Sequence, residues 1–191
     1  FAEIRLGVGT RASRIAVSRP VAGRAVPELA GELTTVISRY TDVGGVPVVA
    51  DLRACGNVGV AGPRPAVSAA VRGLLVQLTG LHSPAELVLA SIGSGEDAWG
   101  WLAWLPHTRP ERPPLVGRTR ATNSAQAAEL AAELEALIEE RGRVVGAGGA
   151  DAPVALPLVV VAVDDGAPFD RARLVQIAER GEGQVYLSDE A

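Results

Sequence analysis

The chain contains no lysine; all 18 of its basic side chains are arginine. That absence removes the ammonium group with which phosphate-binding loops neutralise the β- and γ-phosphates of a nucleoside triphosphate. Methionine is also absent, aromatic residues make up 4% of the chain, and there are two histidines and one cysteine. A single cysteine, Cys55, excludes an intrachain disulfide and fits a reducing compartment. It reads as a small apolar residue at a strand end, since a catalytic thiol needs a basic partner that so few histidines hardly supply. Two distant histidines and one cysteine make no metal site. The longest apolar run is about ten residues, half of the roughly 20 that span a bilayer, so no transmembrane segment is expected within the chain, and no signal peptide is read in it. A net charge of −4 argues against a surface for polyanions. Arg109, Arg112, Arg118 and Arg120 nevertheless fall close together, in a stretch that reads first as a solvated loop.

A length of 191 residues fits one domain, or one domain with a small appendage. Hydrophobic residues at 48% suffice for a sizeable core, built mostly from Leu, Val and Ala. Arginine without lysine, with abundant Ala, Gly and Val, is the composition expected of a GC-rich genome such as an actinobacterium's. Starting at Phe1 and lacking methionine, the chain is expected to be a piece of a longer parent whose neighbouring segments include membrane helices. The reading divides its single domain into a leading segment of strands and a helix, residues 1–45, and a core, residues 46–191.

Short alternating stretches with glycines between them, at residues 4–6 and 14–17, read as edge strands or as an extended entry segment. Residues 27–40 read as a helix, or a helix followed by a strand. Residues 46–52 read as a strand, followed by a turn at Ala54, Cys55 and Gly56. A glycine-bounded strand is expected at residues 56–62. Val67, Val71, Leu74, Leu75 and Leu78 then fall on one face of a 3.6-residue period and predict a helix that Gly80 ends. Ser83 and Glu86 have the spacing of a capping box with Pro84 between them, which predicts a short turn before a buried strand at residues 87–92. Strand, helix and strand within about forty residues make a βαβ unit and hence a parallel sheet. Asn123 or Ser124 can cap a helix to Arg141, with Ala127, Leu130, Leu134, Leu137 and Ile138 on one face and an acidic opposite face of Glu129, Glu133, Glu135, Glu139 and Glu140. A flexible loop is expected at residues 146–152. Residues 158–163 are uniformly apolar, as in a central parallel strand covered on both faces. Asp170 caps a last helix through Glu179 that Gly181 ends, and residues 185–187 read as a final strand.

Two of these elements together suggest a nucleotide-binding core. A phosphate loop aims successive backbone N–H groups at phosphates, and the helix after it presents its positive end. Its pattern is G-x-x-x-x-G-K-[ST]. Here the matching stretch, from Gly62 to Ser68, is one residue short. Ala66 stands in place of the second glycine and Val67 in place of the lysine, while Ser68 matches. Pro63 and Pro65 remove backbone donors. Arg64 carries charge, but reads as lying on the loop rather than at the helix start. A triphosphate here would lose several charge-assisted hydrogen bonds, each worth roughly 1.5–3 kcal/mol. The second element is the strand at residues 158–163 ending in Asp164-Asp165, the form of a magnesium-binding strand with a second acid for water activation. Two acids after a strand also commonly cap a helix or make a turn, and Asp in place of the usual Glu shortens the base. The expectation is a degenerate RecA-like P-loop fold without turnover, whose nucleotide-site remnants are Gly62, Arg64, Ser68, Asp164 and Asp165.

These residues resemble the FtsK/SpoIIIE family of ring ATPases, and within it the EccC-type proteins of type VII secretion. The resemblance runs from about Ile4 to Tyr186. It rests on residues 47–52, the glycine-rich stretch 56–62, the helix from Ala66 to Leu78 with Arg72, residues 59–66, the turn at 78–84 and residues 156–165. Its most specific part is Trp101-Leu102-Ala103-Trp104-Leu105-Pro106-His107. It implies a domain that precedes the true ATPase modules, just after membrane helices and a stalk. It further implies a module on the cytoplasmic face of a membrane-anchored motor, with ATP and Mg²⁺ used in other modules and no cofactor here. The implied partners are those modules and membrane-complex subunits, in a parent that can self-associate. Trp99, Trp101, Trp104, His107 and Arg109 are the interface candidates, although buried packing is the plainer role for His107 and the tryptophans. Two exposed rings among the three would mark a protein interface. Two other readings stay open: a DNA-translocase domain, which needs an exposed arginine stripe, and a module that binds secretion partners through the Trp-rich loop.

Overall fold

In a computed structural model, residues 2–15, 17, 26–94, 99–109, 114–148 and 157–180 are described. The chain forms two compact units, one of residues Arg5–Ala50 and one combining Phe1–Ile4 with Asp51–Ala191.

In the smaller unit, strand β1 (Glu3–Ala12) pairs with strand β2 (Asp42–Asp51), and helix α1 (Pro27–Arg39) lies between them in sequence. The backbone N–H of Ser13 donates to the Thr41 carbonyl at 2.7 Å where the paired strands end. Pro27 sits in the first turn of α1, where its missing N–H costs nothing. Leu29, Leu33, Val36 and Tyr40 recur at helical spacing and are all exposed. Arg14, Ile15 and Val17, read as an edge strand or an extended entry segment, lie outside any strand.

The larger unit opens with a single helical turn, α2 (Leu52–Cys55), capped by the Asp51 carboxylate accepting from the Arg53 N–H at 3.0 Å. The strand before it therefore ends at Asp51, and Cys55 is exposed rather than apolar filling. Residues 56–62 form no strand. Glycine at 56, 59 and 62 leaves few side chains to pack on a pleated surface, so nothing offsets the entropy of extending this segment. The expected βαβ unit around helix α3 (Arg64–Leu81) is consequently absent.

The parallel sheet comes instead from β3 (Leu87–Ile92), β4 (Arg120–Ala121) and β5 (Leu158–Val163), in the order β4-β3-β5. Every residue of β3 and β5 is buried, which explains their uninterrupted apolar sequences. On one face, Val88, Ala90, Ile92, Val159, Val161 and Val163 pack with Ala127, Leu130, Ala131 and Leu134 of helix α4 (Ser124–Gly148) and Ile177 of helix α5 (Arg171–Arg180). Leu87, Leu89, Val160 and Ala162 point the other way and are fully buried too. Helix α3 turns its predicted row of Val67, Val71, Leu74, Leu75 and Leu78 into the interior.

The capping residues behave as their chemistry requires. Asn123 accepts from the Gln126 N–H, Asp170 from the Ala172 N–H, and the Glu86 carboxylate takes both the N–H and the hydroxyl of Ser83. Helix α4 continues past Arg141 to Gly148, where a loop was expected to begin at 146. No proline interrupts it. The acidic face of α4 is partly paired: Glu135 takes a two-pronged bond from Arg173 at 2.7 and 2.8 Å, tying α4 to α5. Arg141 donates to the Pro157 carbonyl at 2.6 Å and so holds the helix beside the start of β5. Gly181 and the expected strand at 185–187 lie outside the described residues.

Candidate functional site

The carboxyl ends of β3 and β5 meet the start of α3 at Asp164. Its backbone N–H continues the sheet ladder by donating to the Ile92 carbonyl at 2.9 Å. That bond turns the side chain to the end of the sheet, where it is 6% exposed. Arg64 Nη2 lies 3.2 Å from Asp164 Oδ2, in an ion pair spanning a hundred residues of sequence. The Ser94 hydroxyl reaches the same oxygen at 3.5 Å. A buried carboxylate needs such donors, because desolvation penalises the charged form unless it is paired.

Arg64 is the first residue of α3, not a loop residue as the sequence suggested. The helix starts three residues before Val67 because Pro65 presets a helical φ in its first turn, while Pro63 holds the extended N-cap position just before it. Val67, standing where a phosphate-loop lysine would be, is already one turn inside the helix and 5% exposed, as a core residue. Its N–H and that of Ala66 both donate to the Pro63 carbonyl, at 3.1 and 2.9 Å. Pro65 has no N–H to offer. Gly62 takes a φ of 148°, a backbone state that side chains disfavour, and this lets the chain turn into the helix. Ser68 is half-buried. Asp165, next to Asp164, is bonded to Arg171 at the start of α5.

Gly93 and Ser94 were not singled out from the sequence. A Cβ placed on Gly93 would lie 2.6 Å from Trp99 Cδ1 and 3.8 Å from the Asp164 Cβ. The Trp99 ring thus rests directly on the backbone at the end of β3, beside the Arg64–Asp164 pair. A glycine immediately after an apolar strand is the signal that could have found this contact. Trp99 and Trp101 are half-buried, and the indole N–H of each is enclosed without a hydrogen-bond acceptor. Trp104 is 89% exposed, so one ring of the three is open rather than two.

His107 is buried and its Nε2 lies 2.8 Å from the His82 carbonyl, so Nε2 carries the proton and donates. This bond joins the end of α3 to the short 3₁₀ turn at Pro106–Thr108, a packing role. Arg109 is exposed and lines a groove with Arg118 and Arg120. Among the described residues no cluster of His, Cys, Asp or Glu is arranged to hold a metal ion, and no helix is long and apolar enough to cross a membrane.

No protein-family profile matches the chain. It is 32% identical over 157 residues to the ESX-4 secretion system protein EccC4 of Mycobacterium tuberculosis, covering 74% of this chain and 13% of that protein. It is also 32% identical over 198 aligned residues to the ESX secretion system protein EccC of Thermomonospora curvata, covering 99% of this chain and 14% of that protein. Among solved structures, EssC (ATPases 2 and 3) from Geobacillus thermodenitrificans superposes over 100% of this chain and 34% of its own, with a TM-score of 0.62 and 17% identity. The fold is therefore that of an EssC/EccC ATPase domain, and the chain spans about one seventh of the length of the relatives it matches.

Proposed function

The chain is homologous, along nearly all its length, to a segment of the EccC-type proteins of ESX secretion, and from that premise we propose that it is a non-catalytic, ATPase-like module that regulates or scaffolds the motor around it. The observation that carries this reading is the Arg64–Asp164 pair at the head of α3. Three features oppose binding of a magnesium nucleotide. The acid that would order the metal is already paired with Arg64 of the same chain. The lysine position faces the core. The N–H groups of Ala66 and Val67 are spent on the Pro63 carbonyl. These residues do not fit Mg²⁺ and a triphosphate, so nucleotide chemistry belongs to other modules of a longer parent on the cytoplasmic face of a membrane. Those modules, further copies of the parent and membrane-complex subunits are the partners this reading implies.

Isothermal titration with ATP and Mg²⁺ tests it. No saturable heat at millimolar nucleotide is expected. Saturable binding, or hydrolysis abolished by Asp164→Asn with Asp165→Asn, would overturn it. A DNA-translocase role has less support, because Glu129 and Glu133 line the groove that gathers the arginines and would repel phosphates.

A further inference from the structure

A second site, unrelated to the nucleotide question, lies at the edge strand β4. A groove of about 700 Å³ is lined by Arg109, Arg118, Arg120, Glu129 and Glu133, with Ala103 at one side. Its charges are unevenly paired. Arg118 meets Glu129 at 3.6 Å in an exposed, loose ion pair. Neither Arg109 nor Arg120 has a carboxylate partner among the described residues. Arg120 is half-buried and its Nε is enclosed without an acceptor. The Glu133 carboxylate lies against the backbone of Gly117, where a side chain would displace it, and its Oε2 is likewise enclosed without a donor. Trp104, the residue after Ala103, is 89% exposed, and Val116, the residue before Gly117, is 66% exposed.

We propose that this groove docks an acidic, apolar segment of another polypeptide. Carboxylates of that segment pair with Arg109 and Arg120, and an apolar side chain covers Trp104. The charge balance favours this occupant over nucleic acid. Three arginines against two glutamates make the lining net positive by one, within a chain of net charge −4. A regular line of phosphates would meet both glutamates, whereas a peptide can place its acids at Arg109 and Arg120 and uncharged groups beside the glutamates. Exposed aromatic and arginine side chains are the usual anchors of protein interfaces.

The test uses the whole chain and a short fluorescein-labelled peptide in which Glu and Asp alternate with Leu, followed by fluorescence anisotropy. Saturable binding is expected, weakened about tenfold or more by Arg109→Glu and by Arg120→Gln, and less strongly by Trp104→Ala. Arg109 is exposed, so its variant folds even if Arg120→Gln does not. Arg72→Glu, on an exposed part of α3, should leave the affinity unchanged. No binding at millimolar peptide, undiminished binding by Arg109→Glu, or equal or tighter binding of a Lys/Leu peptide or a DNA duplex would each overturn the proposal.

Discussion

Removing the arginine at the head of α3 should harm the protein more than removing the acid it faces. Asp164 has a side chain 5% exposed, while that of Arg64 is 63% exposed. Breaking a fully buried pair costs about 3–5 kcal/mol, and an exposed pair is worth about 0–1 kcal/mol. With one partner in the interior and the other largely in solvent, Arg64→Ala should cost about 1–2 kcal/mol, because among the described residues it leaves the buried carboxylate with the Ser94 hydroxyl at 3.5 Å as its side-chain donor. For a domain of this size that corresponds to a fall in Tm of about 2–8 °C. Asp164→Asn removes the buried charge that needs a partner, so it should cost less. The combined variant should then be more stable than Arg64→Ala alone, with a coupling of about 1 kcal/mol or more. Urea unfolding followed by tryptophan emission measures this, since all three tryptophans lie in the larger unit. If Arg64→Ala changes stability by less than about 0.3 kcal/mol and the two changes simply add, the pair does not hold the site together and the argument fails.

Four further outcomes can be measured on the same chain. Gly93→Ala should displace the Trp99 ring, costing about 1–3 kcal/mol and shifting its emission. Gly73→Ala, where a Cβ meets nothing within 4 Å in the middle of α3, should stabilise by about 0.5–1 kcal/mol in thermal unfolding. Val67→Lys, which restores the missing lysine in sequence, should lower Tm markedly by burying a charge and should confer no ATP binding in calorimetry. The Arg173 guanidinium holds the Glu135 carboxyl below the usual carboxylate range, chiefly through its hydrogen bond. A lowered folded pKa contributes stability that is complete above the unfolded glutamate value of about 4.3 and disappears as pH falls through the folded value. Arg173→Met should therefore cost about 0.5–1 kcal/mol at neutral pH, after allowance for the partial exposure of the pair. Its Tm should converge with that of the parent protein in acid.

The burial of β3 and β5, the apolar row of α3 and the caps at Asn123, Asp170 and Ser83 were legible because each is a local pattern. Continuous apolar runs belong in covered parallel strands, helical periodicity marks a core face, and short polar side chains satisfy helix-end donors within a few residues. Residues 56–62 were misread as a strand because valines at alternate positions imitate pleating, while strand formation depends on a partner that sequence does not display. The homology to EccC-type proteins was likewise readable, through the segment around Trp101 and His107.

Whether the two elements read as a nucleotide site come together in space depended on the tertiary structure. The absence of lysine excludes an ordinary phosphate loop from composition alone. Only the fold brings Arg64 across a hundred residues to Asp164, rests Trp99 on Gly93, and gathers Arg109, Arg118 and Arg120 around Glu133. Local sequence sets which backbone shapes a segment can take, since those depend on neighbours a few residues away. The pairing of charges depends on which segments the collapsed core places side by side, and that is a property of the whole chain.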